Sequence, residues 1–138
     1  MQADAPAAQS VAEASQRTKP TVTVPQGSPP AKLVENDLIE GSGATAKAGD
    51  EVTVNYVGVG MDSAKEFDAS WDRGEPFSFS LGAGEVIPGW DQGIEGMKAG
   101  GQRELIIPPA LAYGAAGFPP GIGPNEALVF VVDLLKVN

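Results

Sequence analysis

The chain has 138 residues and a formal net charge of -9 at pH 7, and it contains neither cysteine nor histidine. This length suits one domain with a substantial core, and the acidic balance argues against binding to nucleic acid or to an anionic membrane surface. Without thiols or imidazoles the chain cannot form disulfides, the usual zinc sites or a Ser-His-Asp catalytic centre.

Residues 1–31 differ in composition from the rest of the chain. Met1–Ser15 is mostly Ala, Gln, Ser and acidic residues, and Lys19–Pro30 is interrupted by prolines. Such a composition buries too little apolar surface to offset the entropy of ordering, so the sequence predicts a flexible tail or tether. Within it, Thr21–Val24 alternates and could lie against the domain as a short edge strand. The compact domain is expected to span residues 32–138.

The N-terminal residues of the sequence do not form a recognisable targeting pattern. The N-terminus lacks the basic, apolar and small-residue order of a secretory signal, and no apolar run reaches the length that spans a bilayer. We therefore expect a soluble protein without membrane insertion. The compartment stays open, either cytoplasmic or exported after removal of a signal.

From Lys32 onwards the sequence predicts strands separated by turns. Glu51–Val57 alternates, with Val52, Val54 and Tyr56 on one face, as expected of a half-buried strand. The other predicted strands are Leu33–Ile39, Phe77–Leu81, Gln102–Ile107 and Ala127–Val137.

A short helix is predicted around Trp90. Pro88 suits the first helical position, where its missing N–H costs nothing, and Trp90, Ile94 and Met97 follow at helical spacing on one face. Trp90 could simply pack in the core. The glycines in this segment weaken that interpretation, since they indicate that another backbone or a ligand comes close. A mostly antiparallel sheet with one short helix on its apolar face defines the α+β class.

Two weak motifs are set aside. Gly41–Ala46 loosely resembles a dinucleotide-binding loop, but no helix follows to hold a pyrophosphate, so a turn is expected. Asp62, Glu66 and Asp68 lack the ordered spacing of oxygen ligands in a cation site. We therefore expect neither a metal site nor a cofactor.

The loop over residues 112–124 is rich in Gly, Pro and Ala, yet it carries Tyr113, Phe118 and Ile122. A loop of this composition cannot form a core by itself. Bulky apolar side chains on it are typical of the rim of a binding site.

Several short motifs are spread over the compact region: Val54–Gly58, Glu66–Ser70, Gly74–Phe77, Leu81–Gly82, Val86–Trp90, Gly101–Gln102, Ile107–Pro109, Leu111–Gly114 and Leu128–Phe130. With them, the chain from about Lys32 to Val137 resembles the FKBP family of peptidyl-prolyl cis-trans isomerases, the macrolide-binding class. The resemblance implies a curved antiparallel sheet wrapped around one short helix, in a minimal, single-domain, bacterial-like member. It also implies a rotamase without a cofactor that assists folding, acts on proline-containing peptides and on unfolded or partly folded proteins, and is inhibited by macrolides such as tacrolimus and rapamycin. We expect a monomer.

The resemblance further implies the site. Trp90 would form the floor of an apolar pocket, and Tyr113 would donate a hydrogen bond to the substrate carbonyl or else supply only surface area. Asp68 would pair with Arg73 near the Tyr56 hydroxyl and shape the pocket wall. The implied catalytic positions are Asp68, Trp90, Tyr113 and Phe130, and the implied substrate-binding positions are Tyr56, Phe67, Phe77, Val86, Ile87, Phe118 and Ile122.

Some residues depart from the family pattern. Asn55 replaces the histidine usual before the strand tyrosine and is expected to point outward, and Phe118 stands where some members carry a loop histidine. Pro119–Pro120 lengthens the same loop. Phe67, Phe77, Phe118 and Ile122 are expected to meet the residue before proline and to favour an apolar side chain there.

Two other functions stay open. The chain could be a binding module that holds proline segments or a macrolide without catalysis, or a tethered chaperone domain. A hydrolase is disfavoured because the chain lacks histidine and cysteine.

Overall fold

The computed structural model describes residues 10–25 and 27–138. The strands are β1 (Val34–Ile39), β2 (Glu51–Gly60), β3 (Glu66–Ala69), β4 (Phe77–Ser80), β5 (Gln102–Ile107) and β6 (Leu128–Val137). The helices are α1 (Val11–Ser15), α2 (Ser70–Arg73) and α3 (Pro88–Gly93), and a 3-10 turn covers Pro109–Leu111.

In the described part of the chain the strands form one six-stranded sheet in the order β1-β5-β6-β2-β3, with β4 also paired to β2. All the pairings are antiparallel. β6 lies at the centre, where Phe130 is opposite Leu105 of β5 and Gly58 of β2. This antiparallel sheet, packed against a short helix, confirms the predicted α+β class.

The strand predictions hold where local alternation is strong. β5 has the predicted bounds, and β2 continues past its predicted end to Gly60. β3 and α2 were not predicted, because Glu66 and Asp68 give β3 a composition that is unfavourable in strands. β3 forms because it pairs with β2, with Asp68 opposite Gly58.

Helix α3 begins as predicted and ends earlier. Pro88 is its first residue, but the helix stops at Gly93, so Ile94 is its C-cap and Met97 lies beyond it. Ile94 and Met97 are nevertheless buried with Trp90 in the main core. The three residues of the predicted apolar stripe therefore all face the core, Trp90 from the helix and the other two from the turn after it.

The glycines of α3 are explained by close packing on β5. A Cβ atom added to Gly89 would lie 2.5 Å from Cγ2 of Ile107, and one added to Gly93 would lie 2.7 Å from Cδ2 of Leu105. The sequence predicted the approach of a backbone or a ligand, whereas the neighbours are side chains of a strand. The two glycines let α3 lie directly on the sheet, with Trp90 fixed above it.

Residues 10–25, the N-terminal segment, lie across the face of the sheet opposite α3. Ser10 and Glu13 cap α1 reciprocally, with hydrogen bonds of 3.1 and 2.8 Å. Val22 and Val24 pack against buried residues of the sheet, among them Val57. This face is consequently buried as well: Val57, Val59, Val129 and Val131 are each less than a tenth exposed.

The N-terminal segment lies against the sheet, and the flexibility predicted for residues 1–31 stays a prediction. Residues 10–25 pack on the sheet, because their few apolar side chains meet an apolar face and Arg17 reaches the buried Asp133. No strand forms at Thr21–Val24, although the segment lies against the domain. Residues 1–9 are outside the described range, and the domain boundary at residue 32 stays a prediction.

Candidate active site

A pocket of about 210 Å³ opens beside α3. We call it the deep pocket; it is lined by Tyr56, Phe77, Glu85, Val86, Ile87, Trp90, Tyr113 and Phe130. β2, β4 and β6 supply one side, α3 and the turn that leads into it supply the floor, and the loop after the 3-10 turn supplies the rim. Its lining is predominantly aromatic and aliphatic, as expected of a site for an apolar group.

Trp90 forms the base of this pocket and is only 4% exposed. Its indole meets the ring of Tyr56 at a centroid distance of 4.8 Å and that of Phe130 at 5.3 Å, both nearly perpendicular. Edge-to-face contacts of this kind hold aromatic rings in fixed orientations. The indole N–H makes no hydrogen bond within the described residues, so the base offers an apolar ring together with one polar atom that has no partner.

A closed polar network forms the wall beside Tyr56. The Tyr56 hydroxyl donates to Oδ2 of Asp68 over 2.5 Å, and Arg73 binds both Oδ1 of Asp68 and, at 2.8 Å, the Tyr56 oxygen. Burial and the bond to Asp68 raise the pKa of Tyr56 to about 12, partly opposed by Arg73. The phenol therefore stays protonated at neutral pH. The Asp68–Arg73 pair predicted from the sequence is confirmed, with Tyr56 as its third member.

Asn55, which is half-buried on β2, supports this wall from behind. Its Oδ1 accepts a hydrogen bond from the Ser70 hydroxyl at 2.7 Å, and Ser70 in turn accepts the Tyr56 N–H at 2.9 Å. Ser70 is fully buried. Sequence reasoning missed this link because Ser70 and Asn55 meet only when β2 pairs with the β3–α2 segment.

Besides the Trp90 indole N–H, two donors at the deep pocket are relevant to a bound peptide, and neither has a partner within the described residues. One is the backbone N–H of Ile87. The carbonyl of the same residue accepts the backbone N–H of Trp90 at 2.9 Å, at the start of α3. The other is the Tyr113 hydroxyl, on a side chain that is 38% exposed. Burial, with a smaller effect of the Asp68 charge, raises the pKa of Tyr113. Both groups can therefore donate a hydrogen bond to a bound molecule.

A second cavity of about 380 Å³ adjoins the deep pocket at Tyr113. We call it the outer cleft; it is lined by Phe67, Asp68, Tyr113, Phe118, Pro120, Gly121 and Ile122. Reciprocal backbone hydrogen bonds of 2.9 and 3.0 Å between Phe118 and Ile122 close the loop on itself. The Phe118 ring is 63% exposed and lies 5.3 Å from the Tyr113 ring, so an apolar surface faces solvent at the edge of the cleft.

Comparison with known proteins identifies the family. The model of the FKBP-type peptidyl-prolyl cis-trans isomerases matches residues 42–135. The chain belongs to this family. The FK506-binding protein of Streptomyces anulatus is 58% identical over 120 residues, which is 86% of this chain and 97% of that protein. The probable FK506-binding protein of Corynebacterium glutamicum is 47% identical over 118 residues, with 86% and 98% covered.

A solved structure agrees with this assignment. FkpA from Escherichia coli superposes with a TM-score of 0.70 at 52% sequence identity, covering 77% of this chain and 48% of that one. The protein is thus an FKBP-type isomerase, an enzyme of the rotamase class, with the corresponding α+β fold. No helix in the described part of the isomerase has the length and apolar character needed to cross a bilayer.

The structure of this FKBP-type isomerase brings the predicted site residues together in the two adjoining cavities. Phe77 is expected to meet the amino acid before proline. Its ring instead lines the deep pocket, with its centroid 6.2 Å from that of the Trp90 ring. Of the predicted site residues, those in the deep pocket are Tyr56, Phe77, Val86, Ile87, Trp90, Tyr113 and Phe130, and those in the outer cleft are Phe67, Asp68, Phe118 and Ile122, with Tyr113 shared by both cavities.

Asp91 is a further residue near the site that sequence reasoning did not single out. Its carboxylate accepts the backbone N–H groups of Gly82 and Gly84 at 2.8 and 3.1 Å and so holds the loop that leads to α3. Glu85 acts similarly, accepting the Ser80 N–H at 3.0 Å. An acidic residue in the first turn of a helix that follows a glycine-rich loop is the pattern that could have indicated this contact.

Proposed function

We propose that this isomerase accelerates rotation about Xaa-Pro bonds by binding the twisted prolyl amide in the deep pocket. Its substrates are proline-containing peptides and unfolded or partly folded proteins, so it assists folding. The observation that carries the proposal is the aromatic cage of Tyr56, Trp90 and Phe130, which lies beside two donors without partners. Such a cage suits a five-membered apolar ring, and the donors can hold the peptide around it.

The energetics of rotation explain why an apolar pocket is sufficient. The barrier of about 18–20 kcal/mol is the conjugation lost when the amide twists. A twisted amide has a less polar carbonyl, so it loses less hydration than the planar amide on entering the pocket. The pocket therefore binds the transition state better than the ground state. A barrier lowered by about 7 kcal/mol corresponds to roughly 10⁵-fold acceleration.

In this proposal the two donors hold the peptide on both sides of the prolyl bond. We assign the Tyr113 hydroxyl to the substrate carbonyl and the Ile87 N–H to the peptide backbone beside the pocket. Fixing the chain on either side of the prolyl bond confines motion to that bond, which reduces the entropic part of the barrier. No proton transfer or covalent step is needed, in agreement with a lining that contains no free acid–base pair among the described residues.

The outer cleft receives the residue before proline in this proposal. Phe67, Phe118 and Ile122 offer an apolar surface there, so the enzyme favours an apolar side chain over a charged one. Macrolides such as tacrolimus and rapamycin occupy the deep pocket and inhibit, a proposal supported by the names of the related FK506-binding proteins.

A chymotrypsin-coupled assay or exchange NMR on matched peptides tests the proposal. We expect Leu-Pro peptides to isomerise much faster than Glu-Pro peptides, and rapamycin to abolish the acceleration. Trp90→Leu should lose most of the activity, while Leu38→Ala, at an exposed position on β1, serves as the matched control. Rapamycin binding without acceleration would support a binding module instead, and equal rates for both peptides would refute the assignment of the outer cleft.

A further inference from the structure

The N-terminal segment contacts the stretch of chain that builds the pocket wall. The Lys19 ammonium lies 3.0 Å from Oε2 of Glu66 and 2.9 Å from Oδ1 of Asp72. The Trp71 indole donates to the carbonyl of Arg17 at 3.4 Å. A single cation thus joins the start of β3 to α2, and the backbone beside it contacts α2 again.

The residues that Lys19 contacts flank those that face the substrate. Phe67 and Asp68 follow Glu66 directly and line the outer cleft, and Arg73 follows Asp72 and binds Asp68. β3 has only four residues and pairs with β2 through an irregular register. The pairing of this wall with the sheet is thus short, and Lys19 contacts both of its ends from outside the sheet.

The brace is itself anchored at the centre of the sheet. Arg17 donates from Nη2 to the carbonyl of Gly100 at 2.6 Å, and its Nη1 lies 3.7 Å from Oδ1 of Asp133. Asp133 is completely buried on β6. An anchor in the interior restricts the segment far more than an exposed ion pair would, since exposed pairs alone contribute little.

We propose that Lys19, held by the anchor at Arg17, is a positioning residue of the isomerase that fixes the β3–α2 wall and thereby sets the shape of the outer cleft. This inference rests on the proposed function for the identity of the cleft. In this proposal residues 17–19 influence the selectivity of the enzyme for the residue before proline.

The test compares Lys19→Met with Lys19→Arg and with Lys98→Met. Methionine keeps the side-chain stem and removes the charge, and arginine restores the charge. Lys98 pairs with Glu40 at 3.9 Å, away from both cavities of the site, and is the matched control. We expect Lys19→Met to lower kcat/KM for Leu-Pro by about threefold, to lower that for Ala-Pro less, and to leave Tm nearly unchanged. Lys19→Arg and Lys98→Met should behave as the wild type.

An unchanged ratio of Leu-Pro to Ala-Pro rates in Lys19→Met would overturn the proposal, even if both rates fell together. Amide chemical shifts give a readout that does not depend on turnover. The N–H signals of Phe67 and Asp68 should move in Lys19→Met and stay in place in Lys98→Met, and their failure to move would equally overturn it. A wild-type protein that accelerates neither peptide would refute the proposed function. In that case the chemical shifts alone would decide whether Lys19 positions the β3–α2 wall.

Discussion

The Tyr56 phenol donates a hydrogen bond to Oδ2 of Asp68 over 2.5 Å, while the other oxygen of this carboxylate is bound by Arg73. Both oxygens are therefore held within the wall itself. The wall is polar but satisfied internally. The cavity beside it therefore stays apolar, as a mechanism based on amide desolvation requires.

Replacing Tyr56 with phenylalanine tests this network. The ring contact with Trp90 is kept, but Asp68 and Arg73 lose a shared partner, so the free energy of unfolding should fall by about 1.5–3 kcal/mol, the cost typical of a hydrogen bond to a charged group. Urea denaturation measures it. Tyr113→Phe is the matched control, since its hydroxyl has no partner among the described residues; an equal loss in both variants would contradict the network.

The same hydroxyls predict how the protein titrates and how the rate depends on pH. Burial and the bond to Asp68 raise the pKa of Tyr56 to about 12, and burial raises the pKa of Tyr113 above its usual value of 10. Ultraviolet titration should therefore show a late phenolate transition that disappears in Tyr56→Phe. Because these donors keep their protons, kcat/KM should be flat from about pH 6 to pH 9, and a bell-shaped profile would contradict the mechanism.

Tyr113→Phe separates a hydrogen-bonding role from mere surface area. Loss of a donor to the substrate carbonyl should lower kcat/KM by about three- to tenfold, with no loss of stability. Steady-state rates on a Leu-Pro peptide measure the change. If the variant retains the full rate, the tyrosine supplies only area at the rim.

Gly89→Ala distinguishes packing from helix propensity. Propensity alone predicts that alanine stabilises a helix by about 1 kcal/mol. The new Cβ would lie 2.5 Å from Cγ2 of Ile107, so we expect a net destabilisation of about 1–3 kcal/mol by overpacking. Thermal unfolding decides the sign. Gly123→Ala, whose Cβ would meet its nearest neighbour at 3.6 Å, should be close to neutral.

The buried Asp133 predicts a pH-dependent stability. Burial raises the pKa of its carboxyl above the usual 3.8, although Gln102 and Arg17 oppose the shift. Between 3.8 and the raised value the folded state holds a proton that the unfolded state has lost, so stability falls as the pH rises. The free energy of unfolding of the wild type, relative to Asp133→Asn, should thus be larger at mildly acidic pH than at neutral pH. A constant difference would contradict the shift.

Local patterns in the sequence predict some parts of this molecule and not others. The alternation in β5 and the β-branched run in β6 are visible because each strand is long and has an apolar face. β3 is too short and too acidic to be recognised, since it depends on β2. The packing of residues 10–25 on the sheet includes the contact of Arg17 with Asp133, which is remote in the chain.

The same division holds for the site. The residues alone indicate a rim on the glycine-rich loop and an unusual role for Trp90, and the family resemblance supplies the remaining positions. The support of Tyr56 by Asn55 through Ser70 was not predicted, because a hydrogen bond between side chains on different elements leaves no periodic trace in a single sequence.

The central position of β6 has a consequence for how the molecule acquires its structure. β2 and β5 are each paired with β6 and not with each other, so the strand over residues 128–137 joins the two halves of the sheet. Assembly of the sheet must wait until this stretch is available, and closing such distant contacts is slow. A protein that we propose to help others past a slow folding step thus depends, in its own folding, on contacts between distant parts of its chain.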